Sequence, residues 1–84
     1  MRTFKLFSTD GCHLCEQAIG MFYYAKQQKL IRDDTELNII DIIDDAVLTE
    51  KYKLTIPVLR RSDEEELGWP FELEELVDWV NQLS

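Results

Sequence analysis

Gly11-Cys12-His13-Leu14-Cys15 holds both cysteines of the chain, spaced as Cys-x-x-Cys. Ahead of it, Thr3-Phe4-Lys5-Leu6-Phe7-Ser8 alternates as a half-buried strand does, with Phe4 and Leu6 to one side and Lys5 and Phe7 to the other. Behind it, Cys15, Ala18, Ile19, Phe22 and Ala25 recur at three- and four-residue intervals. That spacing predicts a helix over residues 12–28 with these side chains inward, widened by Leu14 and Met21. The two cysteines therefore fall on a strand-to-helix turn, with Cys12 at or near the helix start. Asp10 reads as the helix cap and Gly11 as the turn residue. Gly20, inside the helix, costs about 1 kcal/mol against alanine and implies close packing. Tyr23 and Tyr24 read as packing and rim residues.

A helix start presents unpaired N–H groups and the positive end of the helix dipole, and both favour an anion. A thiolate is such an anion. An unperturbed cysteine is only about 3% thiolate at pH 7, whereas a pKa near 7 makes roughly half of it reactive. A second cysteine one turn on can close a disulfide by exchange.

Eighty-four residues, 45% of them hydrophobic, supply one simple core, read as a single domain over residues 1–84. Seventeen acidic residues against nine basic leave a net charge of −8, which argues against nucleic acid and anionic membrane surfaces. No apolar run approaches the length of a membrane span. The opening Met1-Arg2-Thr3-Phe4-Lys5 leads directly into a strand and does not read as a signal peptide. Two close cysteines under these conditions suit catalysis or metal binding in a reducing compartment, so a cytoplasmic location is expected. So acidic a chain is expected to stay monomeric.

Leu37-Asn38-Ile39-Ile40-Asp41-Ile42 is apolar on both faces, as an interior parallel strand is. Strand, helix and parallel strand make a crossover unit. Asp44-Asp45 opens a helix over residues 46–53, with Val47, Leu48, Tyr52 and Leu54 read as inward. Thr55-Ile56-Pro57-Val58-Leu59-Arg60 places a proline at the head of a short strand, where a cis bond would fix a turn. A polar turn at residues 61–64 and an antiparallel return over 65–69 complete a hairpin. Pro70 ends it, reading as the first helical position, and a closing helix spans 71–83. Leu73, Leu76, Val77 and Val80 point inward there, with Trp79 on the flank. Glu64-Glu65-Glu66 reads as a solvated face.

The Cys-x-x-Cys turn, the later Thr55-Ile56-Pro57 and the final hairpin with its helix resemble the thioredoxin fold, most closely that of a small bacterial glutaredoxin-like protein. The likeness covers essentially the whole chain. It implies an α/β, thioredoxin-like (glutaredoxin-like) architecture, a four-stranded mixed sheet with three helices. It implies a thiol–disulfide oxidoreductase in which Cys12 is the nucleophile and Cys15 resolves the mixed disulfide. Pro57 would be the cis-proline beside the disulfide, and the backbone at Thr55 and Ile56 would pair with an extended substrate or with glutathione. No bound cofactor is implied; the partner is a protein disulfide or a small thiol. Glutathione-using relatives carry a basic residue just before the first cysteine; here Ser8, Thr9 and Asp10 stand there. They also carry Gly-Gly followed by aspartate before the last helix, where this chain has Leu67-Gly68-Trp69-Pro70. Both departures, and Glu16 after Cys15, disfavour glutathione, itself an anion.

His13 has two readings: a cation that stabilises the Cys12 thiolate and orients substrate, or an exposed neutral ring on the helix rim. Two other functions stay open beside the oxidoreductase. One is a binding module that keeps the fold with little turnover. The other is a metal site, for which Cys12, His13 and Cys15 fall short of four ligands from one chain; no metal is expected.

Overall fold

The structure is a computed structural model that describes residues 2–82. Its central strand is β1 (Arg2–Ser8). Phe4, Leu6 and Phe7 on it are all at most 2% exposed, while Lys5 is exposed. A strand with large apolar groups on both faces must be covered on both, and this one is. Helix α1 (His13–Gln27) and strand β2 (Thr35–Asp41) follow, and β2 pairs parallel with β1 from Arg2↔Thr35 to Ser8↔Asp41. A 3-10 turn (Ile42–Asp44) leads to α2 (Ala46–Tyr52). Strands β3 (Val58–Arg60) and β4 (Glu66–Gly68) and helix α3 (Leu73–Asn81) complete the chain. The sheet order is β2-β1-β3-β4, with β3 antiparallel to both β1 and β4. This is the expected four-stranded mixed sheet with three helices.

The main core lies on one face, where α1 and α3 cover Phe4, Leu6 and Leu59. Phe22 of α1 and Leu76 and Val80 of α3 are fully enclosed there. The other face carries a smaller cluster of Phe7, Ile42, Tyr52 and Val58, in which the Phe7 and Tyr52 rings stack at 4.4 Å. The tyrosine hydroxyl donates to the Glu66 carboxylate of β4, and burial followed by this bond pushes its pKa above the ordinary value. Glu66 is exposed, like Glu64 and Glu65, and also serves as the acceptor for this hydroxyl. Arg61 ties the hairpin turn to the end of α3. Its guanidinium donates to the Trp79 carbonyl at 2.9 Å and to the Gln82 amide oxygen at 2.8 Å, lies over the Trp79 ring, and grips Asp63 with two nitrogens. That grip holds the Asp63 carboxyl below its ordinary pKa.

Several local expectations change. β2 is an edge strand, not an interior one, and Ile39 is half exposed. Val47 and Leu54 point to solvent, at 73% and 90% exposure, because α2 is too short to turn more than Leu48 and Tyr52 onto the sheet. Trp79 is buried at 8% exposure, held between Phe4 and Arg61. Pro70 follows a second cis peptide bond and precedes the helix instead of opening it. The cap of α3 is Glu72, which exchanges backbone and carboxylate hydrogen bonds with Glu75. Leu83, expected at the end of that helix, lies outside the described residues.

Gly20 is exposed, and a Cβ there would meet nothing within 4 Å. Close packing is not its role. Gly20→Ala is therefore expected to stabilise the fold by about 0.5–1 kcal/mol through the lost unfolded-state freedom of glycine. That corresponds to a rise of roughly 2–8 °C in the thermal midpoint. A circular-dichroism melt showing a lower midpoint would contradict the open packing at this position.

Candidate active site

Strand β1 ends at Ser8, and four residues, Thr9 to Cys12, carry the chain over to α1. Gly11 adopts φ +76°, a left-handed conformation that a side chain would strain. This turn sets Cys12, with extended dihedrals of −91° and 102°, as the residue that caps α1. Asp10, the expected cap, is exposed and does not fill that position. Sulfur takes the role instead: the Cys12 Sγ accepts the Cys15 backbone N–H at 3.1 Å. The ordinary oxygen acceptor at a helix start is replaced here by a cysteine sulfur.

Cys12 and Cys15 are joined as a disulfide, with their Cα atoms 5.2 Å apart, inside the usual range. The two sulfurs are not equivalent. Cys15 is 1% exposed and belongs to the buried stripe of α1, whereas Cys12 is half-buried at the rim. His13 projects into solvent, and its Nδ1 lies 3.7 Å from the Glu16 carboxylate.

The second expected segment meets the first through the sheet. Val58 pairs with Phe7 in the antiparallel β1–β3 register. One step further along that register sets Pro57 opposite Ser8, at the end of β1 that feeds the cysteine turn. The Ile56–Pro57 bond is cis, and Pro57 is fully buried. Ile56 is half-buried and Thr55 exposed. The Ile56 N–H donates to the Tyr52 carbonyl at 3.0 Å, and the Thr55 N–H and hydroxyl reach the same oxygen. The N–H groups of Thr55 and Ile56 are thus already bonded within the fold.

On the opposite flank of the cysteine turn, towards β2, lies a cleft of about 220 Å³. Cys12 and Cys15 form part of its wall, with Ser8 to Gly11, Glu16 and Ile19 from the turn and α1, and Ile39 and Asp41 from β2. Among the described residues, no three histidine, cysteine or carboxylate side chains converge as a metal site. None of the described helices is long and apolar enough to cross a membrane.

A family model described as the glutaredoxin-like domain (DUF836) matches residues 3–81. The chain belongs to this glutaredoxin-like family. No curated protein matches it. Among solved structures, the X. campestris protein XcR50 is 34% identical, with a TM-score of 0.80 over 94% of this chain and 96% of that one. Protein Ne2328 from Nitrosomonas europaea is similar in fold at 23% identity and a TM-score of 0.73, covering 94% of this chain and 91% of its own. Thioredoxin 1 from Thermosipho africanus shares the fold at 16% identity and a TM-score of 0.67, with 96% and 92% covered.

In this glutaredoxin-like domain the sequence signal located the disulfide turn and the proline segment but not the β2 side of the site. Ile39 and Asp41 stand 24 or more residues beyond Cys15 and carry no motif. The available signal was topological. Parallel strands joined by a helix crossover end at the same sheet edge, so the end of β2 had to lie beside the end of β1. Ile19 was legible only as core; it also walls the cleft.

Proposed function

We propose that this glutaredoxin-like domain is a thiol–disulfide oxidoreductase in which Cys12 attacks and Cys15 resolves. The observation that carries this reading is the inequality of the two sulfurs. The reachable one caps a helix and accepts an N–H bond, while its partner is buried one turn behind it. In the reduced protein the same N–H and the helix dipole favour the Cys12 thiolate. That thiolate attacks a substrate disulfide, forms a mixed disulfide and expels one substrate thiolate. Cys15 then attacks the Cys12 sulfur, releases the second substrate thiol and closes the Cys12–Cys15 disulfide. Two electrons pass from the protein dithiol to the substrate, and an external thiol reductant restores the dithiol. Thr55, Ile56 and Pro57 form the flanking edge for the substrate backbone, and His13 stands at the rim of the approach. The reducing cytoplasm, where a dithiol of this kind stays poised, is the proposed setting, and the working unit is a monomer. Glutathione is a poor substrate in this reading, since no basic side chain lines the cleft beside the sulfurs.

The test is equilibration against dithiol–disulfide buffers with acid quench and intact-mass readout. The expected result is a reversible two-electron transition between about −270 and −200 mV, the interval between thioredoxin and the glutaredoxins. Failure to close the disulfide at any poise removes the mechanism.

A further inference from the structure

The cleft on the β2 side of the disulfide has a composition of its own. Its apolar lining comes from Ile19 and the half-exposed Ile39. Asp10, Glu16 and Asp41 add carboxylates to the lining. No lysine or arginine lines it. Ser8 also lines it, although the residue is only 6% exposed, and its side chain makes no hydrogen bond among the described residues. An unbonded hydroxyl on so enclosed a residue, with its oxygen open to the cleft, is free to accept a hydrogen bond from a ligand there. The acidic side chains do not converge on one point as metal ligands would. They are spread around a volume that fits an extended side chain with an aliphatic stem and a charged head. Asp41 spends one oxygen on the Ile43 N–H, at 3.0 Å, and keeps the other. Glu16 lies 3.7 Å from the His13 ring, and the Asp10 and Asp41 carboxylates make no ion pair among the described residues.

We infer that this cleft is a specificity subsite that receives a lysine or arginine side chain flanking the substrate's disulfide, making basic protein or peptide disulfides the preferred substrates. The inference rests on the redox reading of Cys12 and Cys15 and adds the substrate class to it. The cationic head donates to Ser8 and the lining carboxylates, and the stem covers Ile19 and Ile39. Binding there brings the neighbouring substrate sulfur to the half-buried Cys12, because the same wall contains both.

The test uses pre-reduced protein in single turnover against two synthetic peptide disulfides, identical except for one residue beside the cysteine, arginine in one and glutamate in the other. The arginine peptide is expected to react roughly tenfold faster, the scale of a few partly exposed charge contacts acting together. In the double variant Asp10→Asn, Asp41→Asn the ratio should fall towards one; asparagine keeps the oxygen that caps Ile43. Equal rates in the parent protein, or a ratio that survives in the variant, would overturn the subsite. Reaction of neither peptide would instead overturn the redox reading. The subsite is then judged by amide NMR shifts of the oxidised protein, using the same peptides with cysteine replaced by serine. Shifts at Ser8, Ile19 and Ile39 with the arginine peptide alone support it, and their absence removes it.

Discussion

Cys12→Ser is expected to lose disulfide exchange entirely, while Cys15→Ser is expected to accumulate a mixed disulfide. The two cysteines are a turn apart and chemically identical, so the difference must come from placement. Cys12 is half-buried where Cys15 is 1% exposed, and it sits where a helix start favours negative charge. A serine hydroxyl there is not appreciably ionised at neutral pH, and removal of a nucleophile typically costs on the order of 10³-fold or more. Cys15→Ser leaves the Cys12 thiolate, the Cys15-position N–H and the helix intact. Only the internal attack that frees the product is lost. Intact mass under non-reducing conditions distinguishes the two: the substrate adduct should appear on Cys15→Ser and be absent from Cys12→Ser. An adduct on the Cys12→Ser protein would mean that the buried sulfur is the nucleophile and that the burial order has been misread.

The second large effect lies in the core. Phe22 is fully buried, faces Phe4 at 6.1 Å and fixes the middle of α1 against the sheet. Phe22→Ala is expected to cost about 3–5 kcal/mol, the range for deleting a buried aromatic ring. A domain of this size has a total stability of only roughly 4–13 kcal/mol, so the loss is a large fraction of it. The thermal midpoint should fall by roughly 12–40 °C. Calorimetry measures this directly, and a drop of only a few degrees would mean that the site collapses around the missing ring. The functional cost follows from the same helix. α1 holds Cys15 and supplies the N-terminus beneath Cys12, so a loosened α1 blurs the geometry of both sulfurs.

The central part of the structure was readable because its signals were strong and local. Six alternating residues and a helical stripe bracket Gly11 to Cys15, and each element appears within a residue or two of its expected place. The Thr55-Ile56-Pro57 segment was readable for its chemistry, since proline there can hardly serve as an ordinary ladder residue. What failed was context. Ile39 and Ile40 look like an interior strand in sequence, but nothing in six residues says whether a neighbour lies on one side or two. Val47 and Leu54 have the hydrophobicity of core residues without the cover. Trp79 reads as a flank residue in sequence because Arg61, which closes over it, is 18 residues away and reads as a turn residue. Residue preference points to Asp10 as the cap; beyond the left-handed Gly11 the cap falls two positions on, at Cys12, and goes to sulfur. The proposed substrate cleft was invisible because its walls come from segments whose contact depends on the crossover.

The two rims of the sheet are unlike each other. β4 exposes an edge of three residues, and β2 exposes one of seven, with β1 as its only neighbour. A straight seven-residue rim is a template on which another chain can polymerise. Glu36, Asp41 and a net charge of −8 guard it by keeping copies of the chain apart. That guard is electrostatic, so it fails where the charge does. Near pH 4.4, where the charges of the sequence balance, that repulsion is gone, and light scattering is expected to rise there.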